Sequence, residues 1–287
     1  MTTAEQVDAR VEELTGARVA EVTRIGGGDI GEAWRVDTDG GPLFVKTHRH
    51  PPPTLFPTEA AGLRWLAEPG ALPVPAVVAA TRDALVLDWV EPGPPGDGAT
   101  LGRGLAALHR AGASAFGGPA RKADAVGHIG AVAVPDAPTA DRVTFLVERR
   151  WRPLAWKALT EEVVDPAVEH LVDAAAAVLD ERLGPEEPPA RVHGDLWAGN
   201  VLWGSDGRPW LVDPAAHGGL RETDLAMLDL FGGLTDATLA AYQEAFPLPE
   251  GWRSRLRLQQ VTPLLVHAVL FGGRYGAQAT DALRSVL

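Results

Sequence analysis

The run Glu91-Pro-Gly-Pro-Pro-Gly-Asp-Gly98 is the feature that most limits how this 287-residue chain can fold. Three prolines and three glycines in eight residues sustain neither a helix nor a strand, so the chain must break there. The part before the break reads mainly as strands: Val19–Ile25, Ala33–Thr38, Leu43–Thr47, Ala76–Ala80 and Ala84–Val90. Asp39-Gly40 between two of them is a hairpin turn signal. Thr3 and Gln6 form a capping-box pattern for an amino-terminal helix with Val7, Val11 and Leu14 on one face and Gly16 at its end. A second helix is predicted over Phe56–Ala67, among the strands. The part after the break reads as helical. Thr100 is placed to cap a helix carrying Leu101, Leu105 and Leu108, and Asp165-Pro166 opens another that runs to Gly184-Pro185. Two or three further helices fill residues 222–287. The Gly-, Ala- and Pro-rich residues 112–140 read as loops.

Composition narrows the partners. The formal charge is −12 at pH 7 with no basic stretch, which disfavours nucleic acid and anionic membrane as ligands. Any anionic ligand must then find a locally positive site. The chain has no cysteine, so disulfides, thiolate metal sites and cysteine nucleophiles are excluded. The start MTTAEQVDARVEEL lacks the layout of a signal peptide, and the longest apolar runs fall far short of the roughly 20 residues of a membrane span. The expected location is the cytoplasm. Oligomeric state is not legible.

The chemistry is concentrated in Arg191-Val-His-Gly-Asp-Leu-Trp-Ala-Gly-Asn-Val-Leu-Trp203 and Trp210-Leu-Val-Asp-Pro214. The pattern is strand, polar loop, strand, turn, and a strand ending in aspartate. Asp195 and Asn200 are five apart, and Asp213 lies 13 further on. That matches the catalytic loop of protein kinases with its downstream metal-binding aspartate. Asp195 can accept the proton of an attacking hydroxyl, with His193 orienting the loop. Asn200 and Asp213 offer a neutral and a charged oxygen, both hard ligands suited to Mg²⁺. Lys46 ends an apolar strand and would hold ATP phosphates. Glu59, 13 residues later on the predicted helix, would pair with it. Gly26, Gly27 and Gly28 would cover the phosphates, and the backbone of Asp88, Trp89 and Val90 would meet the adenine. The alternative readings are ordinary ones: a satisfied polar turn, a solvated lysine and glutamate, a common glycine-rich turn and a buried strand.

These segments resemble the fructosamine/ketosamine kinase family, within the aminoglycoside-phosphotransferase-like branch of the protein-kinase-like superfamily. The resemblance spans the chain: Phe44-Val-Lys46, Pro57–Leu63, Leu105–His109, His193–Asn200, Asp213-Pro-Ala215, Arg221–Met227, Leu230-Phe-Gly-Gly233, Ala241-Tyr242 and Phe271-Gly-Gly273. HGD-x4-N belongs to the whole superfamily; HGDLWxGN with DPA, RExDLAM and LFGG is much narrower. The resemblance implies an α+β bilobal fold, with a β-rich N-lobe carrying one helix among its strands and a mainly helical C-lobe. Residues 1–91 would be the nucleotide-binding lobe, 88–98 the hinge, and 92–287 the lobe with the catalytic loop and acceptor site. It implies ATP- and Mg²⁺-dependent phosphorylation of a sugar hydroxyl on a ketosamine, either a small-molecule adduct or a glycated protein lysine. The product would be unstable, which would serve deglycation. The family's two tyrosines after DPA are absent here, where Ala216-His217-Gly218-Gly219-Leu220 stands. Trp197, His217 and Glu222 are the candidates for acceptor contacts. Asp224 reads as a brace for the catalytic loop. The competing expectations are a kinase for an aminoglycoside, choline or homoserine-like alcohol, and a nucleotide-binding pseudokinase. A Rossmann dehydrogenase is disfavoured because the glycines sit in a hairpin.

Overall fold

The computed structural model of the chain describes residues 2–26, 31–119 and 125–287. Helix α1 (Ala4–Thr15) starts at a complete capping box: Gln6 N–H donates to Thr3 Oγ1, and Thr3 N–H donates back to Gln6 Oε1. It ends at Gly16, whose φ of 70° suits a residue without Cβ. Next come strands β1 (Val19–Ile25), β2 (Glu32–Thr38) and β3 (Gly41–Thr47). Asp39-Gly40 turns β2 into β3, with Thr38 opposite Gly41. After α2 (Leu55–Ala67) come β4 (Val77–Ala80) and β5 (Ala84–Asp88). The five strands form an antiparallel sheet in the order β1-β2-β3-β5-β4.

The two-residue period of β3 fixes which way its side chains point. Val45 faces α1, where it packs with Val7, Val11, Trp34 and Val86. Phe44 faces α2, where Phe56, Ala60 and Leu63 pack on Leu85 and Leu87. Lys46 shares the α2 face.

The proline-glycine run does not hang free. It lies along the turn between β9 (Val201–Trp203) and β10 (Pro209–Leu211), with Gly93 N–H donating to Trp203 O and Ser205 N–H to Glu91 O, each at 2.7 Å. The run is thus stapled to the β9–β10 hairpin.

Beyond it, α3 (Gly98–Arg110) begins one turn earlier than its leucines alone suggest, because Asp97, and not Thr100, caps it. Residues 112–140 are not all loop. They contain the hairpin of β6 (Val126–Ile129) and β7 (Val132–Pro135), turned by Gly130 at φ 56°. Its small residues look like loop chemistry, but Ile129, Val132 and Val134 are buried in the C-lobe core. Then α4 (Arg142–Leu146) passes through a π-helical turn at Val147–Trp151 into α5 (Arg152–Thr160), with α6 (Val168–Arg182) after it. Strand β8 (Ala190–Val192) precedes the catalytic loop and pairs with β11 (His217–Gly219). The last 66 residues, 222–287, hold α7 (Glu222–Phe231), α8 (Asp236–Ala245), α9 (Trp252–Gln259), α10 (Val261–Phe271) and α11 (Arg274–Arg284), more and shorter helices than periodicity suggests. The N-lobe holds both helices expected before the break, α1 ahead of the sheet and α2 among its strands. Among the described residues no helix is long and apolar enough to cross a membrane.

Helix α3 crosses α8 at glycines. A Cβ at Gly102 would collide with the Thr238 carbonyl, which is backbone and cannot swing away. Gly102→Ala should therefore destabilise the fold by about 1–3 kcal/mol, despite alanine's better helix propensity. Chemical denaturation should show a lower midpoint; an unchanged or raised midpoint would mean the crossing can relax.

Candidate active site

Three segments converge on one cleft between the sheet and the helical lobe. β3 and α2 bring Lys46 and Glu59; the β8–β9 loop brings Asp195 and Asn200; the residue pair after β10 brings Asp213. All five line a cleft of about 1010 Å³. Lys46 Nζ lies 2.6 Å from Glu59 Oε1 and 2.7 Å from Asp213 Oδ1. Burial alone would lower the pKa of the Lys46 ammonium, but the Asp213 and Glu59 carboxylates more than reverse this, and it lies above its ordinary value. Burial holds the Glu59 carboxyl above its usual range even beside Lys46.

The catalytic loop is shaped by hydrogen bonds to its backbone. Gly194 sits at φ 83°, where a Cβ would strike Ala215 O and the His217 ring. Asp224, at the start of α7 and fully buried, accepts the N–H of His193 at 2.7 Å and of Gly194 at 2.9 Å. The same carboxylate meets His109 Nε2 at 3.2 Å, and His109 Nδ1 reaches Tyr242 Oη at 2.8 Å. Burial works against the Asp224 charge, yet the His109 bond and the loop N–H groups outweigh it and hold its pKa below the usual carboxylate range. His193 Nε2 donates to Val212 O at 2.9 Å, tying the loop to the segment that ends in Asp213. Asn200 Nδ2 donates to Asp195 O at 2.8 Å. Asp213 adopts φ 56°, a left-handed conformation that aspartate tolerates better than most residues.

Asp195 has its pKa pushed up to about 7, first by burial and then by the Asp213 and Asp224 carboxylates. A carboxylate poised near neutrality, facing a cleft that also holds a lysine, has the properties of a general base.

The sequence-derived candidates divide between the cleft and its surroundings. Gly26, Asp88, Trp89 and Val90 line the same cleft, while Gly27 and Gly28 lie outside the described residues. Trp197 lines it too, with 40% of its surface exposed. His193 is wholly buried and does not line the cleft. His217 is buried against Phe145, donates from Nδ1 to Ala215 O, and lines a small adjoining pocket with Gly194 and Asp195 instead of the main cleft. Burial and the nearby Arg150 push its pKa down to about 4. Glu222 corrects the expectation of an acceptor contact: it is buried away from the cleft, gripped by Arg255 Nε at 3.0 and 3.1 Å. A buried carboxylate at a helix start needs a partner, and α9 supplies it. Sequence reasoning missed His128, Asp136 and Arg150, which line the cleft as well. Their segment carries no motif, and the Asp136–Arg150 pair spans 14 residues of unpatterned chain.

Comparison with known proteins agrees with this geometry. Residues 2–287 match the family model described as Fructosamine kinase. A Thermus thermophilus protein named "Probable ketoamine kinase" is 39% identical over 252 residues, covering 87% of each chain. A crystal structure described as a "putative fructosamine-3-kinase" from Thermobifida fusca superposes with a TM-score of 0.90 at 41% identity, covering 99% of each chain. Choline kinase LicA from Streptococcus pneumoniae, at 15% identity and a TM-score of 0.63 over 98% of both chains, shares the fold.

Proposed function

The chain belongs to the fructosamine kinase family, phosphotransferases that act on sugar hydroxyls, and from that premise we propose a role for each group in the cleft. Asp195 accepts the proton of the attacking sugar hydroxyl as the oxygen bonds to the γ-phosphorus of ATP and ADP departs. Its affinity for a proton, raised to match neutral pH, suits that task. Lys46 presents its charge to the phosphates, and Glu59 keeps the ammonium in place. The backbone of 88–90 meets the adenine, with Phe44 and Leu87 as apolar walls. Residues 1–91 form the nucleotide lobe and 92–287 the acceptor lobe.

The donor set fits Mg²⁺. Asn200 spends its amide hydrogens on Asp195, which leaves the carboxamide oxygen for a cation, and the half-exposed Asp213 adds a carboxylate. Among the described residues no three acidic or histidine side chains cluster as a metal cage. Asn200 and Asp213 would hold the ion through one amide oxygen and one carboxylate, hard oxygen donors of the kind Mg²⁺ takes from a protein. When bound, the ion supplies positive charge against the phosphate oxygens.

The observation that carries the reading is the convergence of Lys46, Glu59, Asp195, Asn200 and Asp213 on one cleft. A complete set of these groups also argues against a pseudokinase, which measurable ATP turnover would exclude. We assign the physiological acceptor to ketosamines, free or on protein lysines, and the reaction to deglycation. The test is a competition of kcat/KM values. Fructosamine, ribulosamine and erythrulosamine conjugates of a lysine derivative should each exceed kanamycin and choline. A higher value for kanamycin or choline than for every ketosamine would overturn the acceptor while leaving the kinase chemistry.

A further inference from the structure

Two buried titratable side chains stand outside the cleft and have no part in the chemistry assigned to it. His109 lies near the end of α3 and Tyr242 lies on α8, and neither lines the cleft. Tyr242 is wholly buried and His109 nearly so. A phenol and an imidazole are costly in a core unless their polar atoms are bonded. Here they are bonded to each other and, through His109, to the carboxylate that shapes the catalytic loop.

The direction of these bonds follows from what each group can donate. Asp224 has its pKa held below the usual carboxylate range, so it is charged, and a carboxylate only accepts. His109 Nε2, 3.2 Å from Asp224 Oδ2, therefore carries a proton. At the other end Arg221, the residue before α7, bonds the Tyr242 hydroxyl, and a guanidinium only donates. Arg221 is itself fixed: Glu187 takes its Nε and Nη2, and the Phe246 and Pro247 carbonyls accept from Nη1 and Nη2. Burial lifts the Tyr242 pKa above its ordinary value, so the hydroxyl keeps its proton and points it at His109 Nδ1, 2.8 Å away. The two rings meet edge-on with centroids 5.5 Å apart, which holds the imidazole in that orientation.

The far end of this chain is the backbone ahead of the base. Asp224 Oδ2 is shared between His109 and the His193 N–H, and Oδ1 takes the Gly194 N–H. The last torsion of an aspartate is soft, so the plane of the carboxylate is set by what binds it. We propose that Tyr242 is a positioning residue for the base: its hydroxyl, oriented by Arg221, fixes the His109 ring, which fixes the Asp224 carboxylate and with it the backbone of His193-Gly194-Asp195. The effect on rate rests on Asp195 being the base; the effect on the loop does not.

The test pairs steady-state kinetics on a fructosamine conjugate with amide hydrogen exchange of the His193 and Gly194 N–H groups in the substrate-free enzyme. Tyr242→Phe keeps the ring and removes only the hydroxyl. It should lower kcat roughly 3–10-fold, the scale of one hydrogen bond, with KM for ATP and for the acceptor within twofold of wild type. The two loop amides should exchange faster by a similar factor. His109→Gln severs the same chain one bond nearer the loop; it should lower kcat at least as much, and it decides where Tyr242→Phe does not fold. In a background already carrying Asp224→Asn, Tyr242→Phe should change kcat by less than twofold, because both act through one carboxylate. Thr280→Val removes another buried hydroxyl, bonded to Gly276 O within α11, and should leave both kcat and the loop amides unchanged. Unchanged exchange of the loop amides in Tyr242→Phe, an equal loss of kcat in Thr280→Val, or full additivity with Asp224→Asn would overturn the positioning role. Faster exchange with normal kcat in Tyr242→Phe, together with near-normal kcat in Asp195→Asn, would instead overturn the assignment of the base and leave the bonded chain standing.

Discussion

Asp195→Asn should lower kcat by about 10²-fold or more and, at the same time, make the protein more stable above pH 7. The first effect is the scale of losing a positioned acid–base group. The second arises from the forces that hold the Asp195 pKa near 7: burial, then the Asp213 and Asp224 carboxylates. A carboxyl that is harder to ionise in the fold than in the unfolded chain is a folding cost whenever it is charged. The sign is set by the direction of the shift. Below the ordinary carboxylate value of 3.8 both states are protonated and there is no cost. Between there and about 7 the unfolded chain ionises first and the cost grows; above about 7 it is constant. Because the carboxylate opens onto the cleft, the gain on neutralising it should be about 1–3 kcal/mol and not the full value of a buried charge. Thermal unfolding of wild type and variant at pH 5, 6, 7 and 8 should give curves that separate as pH rises, with the variant higher. Near-normal kcat would remove Asp195 from the role of base. A variant less stable than wild type at pH 8 would mean that the carboxylate is held by interactions stronger than its repulsions.

The sequence exposes this site unevenly, for physical reasons. Lys46, Glu59, Asp195, Asn200 and Asp213 are legible because phosphoryl transfer demands particular residue types at spacings fixed by one strand, one helix turn and one tight loop. Their neighbours on the cleft wall are not. His128 and Asp136 sit in a hairpin built from Gly, Ala, Val and Pro, whose strands exist because Ile129, Val132 and Val134 are buried by the C-lobe helices, a tertiary cause with no local signature. Glu222 misleads for the opposite reason. It stands in a segment that carries the family resemblance, yet its carboxylate answers Arg255, 33 residues away, and nothing in the local pattern announces that partner. The β-rich and helical halves are legible from periodicity, while the division of residues 222–287 into five helices is not. Gln260 between α9 and α10 and Gly272-Gly273 between α10 and α11 mark breaks that an apolar stripe runs straight through.

Asp224→Ala should cost the fold about 3–5 kcal/mol, the range for stripping a buried charged network of one partner, and lower Tm by roughly 6–20 °C. The carboxylate receives three donors, and its removal leaves the N–H groups of His193 and Gly194 and the His109 ring without an acceptor in a fully buried place. Those two N–H groups belong to the residues just before Asp195, so the loss should reach catalysis through the position of the base. Asp224→Asn, which keeps the size and one acceptor oxygen, should lose less stability and still lower kcat. Two measurements separate positioning from general damage. In a background already carrying Asp195→Asn, Asp224→Asn should lower kcat by much less than it does in wild type, because both act through the same group. The stability difference between wild type and Asp224→Asn should also hold steady from pH 7 down to about 4.5. Asp224 has its folded pKa depressed, so its contribution is complete above the ordinary carboxylate value of 3.8 and fades only as pH falls through the lower folded value. The buried neutral His193 and His217 lose stability over a different window, beginning near 6.5, where the unfolded chain takes up the protons that the fold refuses. Burial is the leading cause of both shifts and is the same in the two proteins, so these histidines move both curves in the same direction. A difference that closes already between pH 7 and 5, or full additivity with Asp195→Asn in kcat, would show that Asp224 does not shape the loop by accepting its backbone N–H groups.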